Sequence, residues 1–331
     1  MSECILRFSL VSTIHAVVKA PKRHKFPLTK NQIWSKDIAM IKKLTLSLSL
    51  AMISAVNVWA IPWGTPDQNN ERDNVVTFLF AQPVPDEPGI GYFSCTGTLI
   101  SPRVVLTAGH CTGFLDENDQ LQPNLGTWLF TGQSVYESFD SSGFDKFAQW
   151  IFTTWEHVTA VPHPEYKEYA EFPRTYDVGV LLLDVDAPYP TSSGYGILPE
   201  KGKFDSLDKR KGKQNRSFTV VGYGAQELVP VPFVSDDWAR YIAEVTVTNT
   251  KSSITGDYNF QLTNNPGRGN GVGGTCFGDS GGPSFWVDPE TRIEYISGIT
   301  SFGITQFCTG VGYNLRTDID DVLDFVLPYL P

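Results

Sequence analysis

The chain has 331 residues, 41% of them hydrophobic, with 26 Lys and Arg against 36 Asp and Glu and a formal charge of −10. This composition supplies packed cores for one large domain or two moderate ones and excludes a disordered protein. The first 60 residues hold nine of the basic residues and two of the acids. The remainder therefore carries a formal −17, which argues against nucleic acid as a partner.

From Met40 the basic leader reads "MIKKLTLSLSLAMISAVNVWA". It has a basic n-region at Lys42 and Lys43, an apolar h-region from Leu44 to Val56, and a small-x-small cleavage site at Val58-Trp59-Ala60. Its apolar run of about 13 to 15 residues falls short of the roughly 20 that cross a bilayer. We therefore expect residues 40–60 to be a secretory signal peptide of bacterial type and residues 1–39 an upstream extension absent from the mature protein. Residues 61–331 would be the folded domain, exported to the extracellular space or periplasm without a stable membrane anchor.

Beyond Ile61, short β-type runs alternate with Gly, Pro, Asn and Asp clusters. Four such runs lie at 75–80, 93–100, 103–108 and 177–184, and four more at 218–224, 243–249, 283–287 and 294–303. This punctuation predicts an all-β sandwich or barrels. Residues 187–216, rich in Pro, Ser, Gly and Lys, read as a surface linker, and the seven basic residues crowded into 201–216 read as a solvated loop. Only the end of the chain has helical periodicity. There Ile319, Val322, Leu323, Val326 and Leu327 share one face, predicting a helix over about 317–328 with Thr317 or Asp318 as its cap.

The segment "GTCFGDSGGP", Gly274 to Pro283, fits both the G-x-S-x-G nucleophile elbow and the GDSGG signature of a serine protease. An elbow of the α/β-hydrolase type needs a histidine after the serine. All five histidines (His15, His24, His110, His157, His163) precede Ser280, which disfavours a serine esterase. Upstream stand "LTAGHC", Leu106 to Cys111, and "TYDVGVLLLD", Thr175 to Asp184. With these three segments in the order His, Asp, Ser, the chain resembles the chymotrypsin/trypsin-like serine protease family over essentially all of 61–331.

The resemblance implies two six-stranded antiparallel β-barrels, at about 72–186 and 217–316, with the active site between them and a C-terminal helix. It implies a secreted serine endopeptidase working through an acyl-enzyme intermediate. His110 would be the general base, Asp177 its orienting carboxylate and Ser280 the nucleophile, with the Gly278 and Ser280 amides forming an oxyanion hole. The chemistry requires such a set, because a serine hydroxyl is a weak nucleophile until an imidazole takes its proton. His163 reads as a loop residue rather than a catalytic one, and His157 is no better a candidate. The 67-residue step from His110 to Asp177 is long for the family and implies inserted loops around 112–150. A non-catalytic binding module on the same fold is the alternative.

Without Cys4, four cysteines remain, an even number that in an exported protein implies two disulfides in any of three connectivities. The resemblance pairs Cys95 with Cys111 and Cys276 with Cys308. It also places a specificity pocket at Gly274, Thr275, Ser301, Phe302 and Gly303. Relatives that cut after Lys or Arg carry an aspartate where this chain has Gly274, so the pocket favours a large apolar side chain. Gly310, Gly312 and Asn314 compete for its opposite wall, which leaves a preference for small residues as the alternative. Finally, the resemblance implies an activating ion pair between Asp279 and the ammonium of Ile61, freed when the leader is cut. "DEND", Asp116 to Asp119, offers oxygens to calcium, but hard-cation loops need several ligands at defined spacing, so it reads as a surface turn. No metal or other cofactor is expected. The expected partners are protein or peptide substrates and protein inhibitors, and the protein itself would be a monomer.

Overall fold

The computed structural model describes residues 61–84, 89–140, 143, 146–168, 171–208, 216–226, 237–264, 273–305 and 307–331. The expected leader at 1–60 and residues 209–215 of the basic stretch at 201–216 lie outside them. Of the rest of that stretch, Lys201 pairs with Asp320, Lys203 with Asp288, and Arg216 donates to the Leu207 carbonyl. A two-residue strand, β1 (Thr65–Pro66), comes first. Then follow β2 (Val75–Pro83), β3 (Ile90–Ser101) and β4 (Val104–Thr107), a separate hairpin of β5 (Gly113–Leu115) and β6 (Leu121–Pro123), and β7 (Gly126–Phe130). The half ends with β8 (Glu156–His157), β9 (Thr159–Pro162) and β10 (Gly179–Leu182). The sheet order is β8-β7-β2-β3-β4-β10-β9. One residue, Val158, separates β8 from β9, so the two are halves of one bent strand and the sheet curls into a six-stranded barrel. β2, "VVTFLFAQP", is buried along both faces, which is why it reads as a continuous apolar run.

The second half comprises β11 (Ser217–Gly222), β12 (Tyr241–Asn249), β13 (Asn259–Thr263), β14 (Pro283–Val287), β15 (Glu294–Gly303) and β16 (Val311–Arg316). Their order is β12-β11-β14-β15-β16-β13, and β13 pairs back with β12, closing six strands. β12 alternates buried and exposed residues with the period of two expected of a strand with one face in the core. Phe204, Phe218, Phe260 and Trp286 fill this barrel, and Ile61 is buried among them.

The inserted region is partly helical, contrary to the expectation that helix is confined to the C-terminus. α1 (Val135–Ser138) and α2 (Phe147–Thr154) follow β7. Two turns are marginal on propensity alone, so packing must hold α2. Trp150 meets Phe139 at 5.6 Å and Trp155 at 5.9 Å, and Trp155 meets Trp238 at 5.6 Å. The C-terminal helix α3 (Asp320–Val326) continues into a 3-10 turn at Leu327–Tyr329. Neither expected cap serves it. The Thr317 hydroxyl donates to the Ile296 carbonyl, and the Asp318 carboxylate accepts from Arg316 and from the Phe204 amide. The linker is pinned: Asp73 accepts from the Ser192 and Ser193 amides, and the Gly196 amide donates to the Leu99 carbonyl.

Candidate active site

His110 lies on a 3-10 turn, Gly109–Cys111, directly after β4. The Cys95–Cys111 disulfide ties this turn to β3, and the Thr112 hydroxyl closes it by donating to the Gly109 carbonyl at 2.9 Å. Asp177 is fully buried and meets the turn twice. Its Oδ1 accepts from the His110 amide at 2.9 Å, and both carboxylate oxygens lie 3.0 Å from His110 Nδ1. The Ser301 hydroxyl donates to Asp177 Oδ2 at 2.5 Å. Burial by itself would raise the Asp177 carboxyl. The charge and hydrogen bonds of His110, with the Ser301 hydroxyl, outweigh it and hold the group below the usual carboxylate range.

Tyr176 takes a positive φ of 50° next to Asp177, an uncommon conformation for a non-glycine residue. It is braced on both sides, stacking on His163 at 4.9 Å and lying under the Arg174 guanidinium at 4.7 Å. His163 is thus a buried support for the aspartate loop, its Nδ1 accepting from the Glu165 amide. His157 is exposed on β8, edge-on to Trp128.

Ser280 is half-buried on a turn shaped by two glycines, Gly278 at φ 93° and Gly281 at φ 78°. Thr96 of the first barrel holds this turn twice, its amide donating to the Ser280 carbonyl and its hydroxyl to the Gly278 carbonyl, both at 2.8 Å. Gly281 packs so closely on Thr107 and Ala108 that the serine turn abuts the segment leading into His110. Among the described residues, neither the Gly278 nor the Ser280 amide donates to a protein acceptor. Asp279 is fully buried and accepts from the Gly224 and Cys276 amides, each at 2.8 Å. The Pro62 carbonyl, next to Ile61, accepts from the Gly274 amide.

Of the expected pocket residues, Ser301 turns its side chain to Asp177, so it does not line the pocket with its hydroxyl. Phe302 stacks on Tyr313 at 4.6 Å and meets the exposed Phe172 edge-on at 5.2 Å. Gly303 has no neighbour closer than 3.9 Å to a would-be Cβ, so the space beside it is open. Cys276 and Cys308 are bonded, joining the serine segment to the loop after Gly303. Asp116 accepts from the Asn118 and Gln120 amides and the Gln122 side chain, so "DEND" is a hydrogen-bonded turn. The sequence reading missed Thr96 and the tie between Ser301 and Asp177, since a Thr or Ser within a β run carries no motif.

Two β-barrels, with a buried carboxylate–imidazole pair from one and a GDSGG turn from the other, form the architecture of the two-barrel serine proteases. Residues 61–326 match the trypsin family, and the chain belongs to it. It is similar to the proclotting enzyme of Tachypleus tridentatus, 25% identical over 250 residues covering 73% of this chain and 60% of that protein. The phenoloxidase-activating enzyme of Bombyx mori is 30% identical over 253 residues, covering 72% of this chain and 52% of its own. The matched part thus spans between about half and two thirds of these curated relatives.

Proposed function

We propose that the protein is a secreted serine endopeptidase in which Ser280 is the nucleophile, His110 the general base and Asp177 the residue that orients it. The observation that carries this reading is the paired contact of Asp177 with the backbone and ring of His110. A carboxylate at Nδ1 favours the tautomer with the proton there, leaving the Nε2 lone pair to take the proton of Ser280 as Oγ attacks a peptide carbonyl. The imidazolium then returns that proton to the leaving amine, and a water molecule hydrolyses the acyl-enzyme by the same route. The buried negative charge of Asp177 stabilises the imidazolium in both steps. The Gly278 and Ser280 amides would receive the oxyanion, where loss of one such donor costs about 3 kcal/mol.

Phe172, Phe302 and Ile304, all partly exposed, offer apolar surface beside the site, and the uncharged Gly274 supports cleavage after apolar residues. The relatives' names, for a proclotting enzyme and for an activator of phenoloxidase, support a protein substrate. The buried carboxylate of Asp279 and the buried Ile61 are the groups that would pair if leader cleavage activates the enzyme.

The test is Ser280→Ala against wild type, with peptide turnover and fluorophosphonate labelling both measured. Wild type is expected to turn over and to be labelled at Ser280, while the variant does neither with an unchanged melting temperature. Turnover by Ser280→Ala above a mock preparation would refute the assignment. Absence of labelling and turnover in the wild type would favour the non-catalytic module.

A further inference from the structure

The register between β15 and β16 identifies the wall that the sequence leaves open. Phe302 pairs with Tyr313 and Gly303 with Gly312, so the residue facing Gly303 across the ladder is Gly312. Asn314 instead donates to the Thr300 hydroxyl, buried inside the barrel, and a Cβ on Gly310 would meet nothing within 4 Å. Both remaining glycines of the pocket converge on one side chain. A Cβ on Gly312 would lie 2.8 Å from Asn264 Oδ1 and 3.1 Å from Nδ2. A Cβ on Gly274 would lie 2.2 Å from Asn264 Cα and 2.6 Å from Oδ1.

Asn264, one residue past the end of β13, is 3% exposed and held at three points. Its amide donates to the Gly310 carbonyl at 3.0 Å. Its Nδ2 donates to the Thr275 carbonyl at 2.9 Å, and its Oδ1 accepts from the Thr275 amide at 3.1 Å. The carboxamide therefore fills the space that side chains at 274 and 312 would occupy, and the two glycines are there to admit it.

We propose that Asn264 forms the floor of the specificity pocket and restricts it to uncharged side chains, an inference that rests on the protease reading above. A carboxamide is neutral and retains hydrogen-bonding capacity beyond its two bonds to Thr275. An ammonium, guanidinium or carboxylate brought onto it would lose its hydration without meeting a counter-charge, which is strongly unfavourable in a closed pocket. An apolar or neutral polar side chain meets no such penalty. Asn264 is a specificity-determining residue and takes no part in bond making.

The experiment compares purified wild type with Asn264→Asp, a near-isosteric change that puts a carboxylate on the floor. Active sites are counted with a fluorophosphonate, and kcat/KM is measured on matched peptides with Leu, Phe, Gln, Arg, Lys or Glu before the cut. Wild type is expected to cleave after Leu, Phe or Gln about tenfold or more faster than after Arg, Lys or Glu. Asn264→Asp is expected to raise the Arg-to-Leu ratio about tenfold or more, because a guanidinium then meets a carboxylate. A purely structural role for Asn264 would lower the fraction of active sites without moving that ratio. An unchanged ratio in a labelled, active Asn264→Asp protein would overturn the inference, as would wild type cutting after Arg or Glu as fast as after Leu. If Asn264→Asp does not fold, Asn264→Ser serves: a deeper neutral floor should raise the Phe-to-Leu ratio, and no change would overturn the inference. A wild type that is neither labelled nor active would overturn the protease reading itself, and the floor with it.

Discussion

Replacing Gly281 with alanine tests whether the serine turn is positioned by its contact with the histidine segment. At φ 78° a residue with a Cβ costs about 1 to 2 kcal/mol in backbone strain. The added methyl would stand 1.9 Å from the Thr107 hydroxyl oxygen, 2.5 Å from the Thr96 carbonyl oxygen and 2.9 Å from the Ala108 amide nitrogen. Two of these three atoms are backbone of paired strands or the segment joining them to His110, so relief must come from the turn itself. Overpacking of this kind costs about 1 to 3 kcal/mol, for a total of about 2 to 5 kcal/mol. A displacement of about 1 Å between nucleophile and base lowers turnover on the order of 100-fold. The assay is kcat/KM on a peptide substrate, normalised to folded protein, beside a thermal melt expected to fall on the order of 10 °C. The double variant Gly281→Ala with Thr107→Ala removes the nearest clash but neither backbone contact, so it should recover only part of the loss. Gly281→Ala with kcat/KM within about twofold of wild type would refute the reasoning, since no positional role could then be held to this contact.

Ser301→Ala removes a hydrogen bond to a buried carboxylate, worth about 1.5 to 3 kcal/mol, and should lower kcat on the order of tenfold or more. Because that bond helps to depress the Asp177 carboxyl, its loss should also move the acid limb of unfolding to higher pH; an unchanged kcat and acid midpoint would count against it. Burial lowers the His163 imidazole against the opposing pull of Asp321 and Glu165, with Arg174 adding to the lowering. Below about pH 6.5 the unfolded chain takes up a proton that the folded one refuses, so stability should decline as pH falls, and His163→Phe should flatten that slope in denaturant titrations between pH 5 and 7.5. Breaking the Cys276–Cys308 disulfide, which spans 32 residues, should cost on the order of 3 to 4 kcal/mol by chain entropy, read as a lower denaturation midpoint in Cys276→Ser with Cys308→Ser.

The contact of His110 with Asp177 and the glycine-shaped turn at Ser280 were legible because their residues lie in the short motifs "LTAGHC", "TYDVGVLLLD" and "GDSGGP". The two disulfides were legible only through the resemblance, since four cysteines allow three pairings. The barrels could be read as β because runs such as "VVTFLF" combine aromatic and branched residues between turn signals. α2 could not, because "FAQWIFTT" is only two turns long and its aromatic residues suit a strand equally well. The misplaced cap has a similar cause. Asp318 is suited to capping by chemistry, but the nearby Arg316 guanidinium claims its carboxylate. Asn264 was invisible because its role depends on two glycines brought to it from other parts of the chain, 274 and 312, and nothing in its neighbours reports that meeting.

The contacts around the site are reciprocal between the barrels. Asp177 belongs to the first barrel and takes a hydrogen bond from Ser301 of the second, while Ser280 and Gly278 belong to the second and are held by Thr96 of the first. Behind them the fully buried Arg240 spans both. Its guanidinium donates to the Asp67 carboxylate, the Val75 carbonyl and the Tyr223 hydroxyl, and that hydroxyl donates on to the Gly132 carbonyl. Burial pushes the Tyr223 phenol up to about 12, so it remains a donor at any working pH. The carboxylate partner of His110 and the turn that carries Ser280 are therefore each held by a bond that crosses the barrel boundary, in addition to the ties within their own barrels. The inserted α1 and α2 belong to the same frame. Val135, Trp150 and Ile151 are buried in one cluster with Val221, Tyr223 and Trp238, Ser134 bridges Ala239, and the Val135 amide donates to the Trp238 carbonyl, so the insertion adds a further tie between the two halves of the chain.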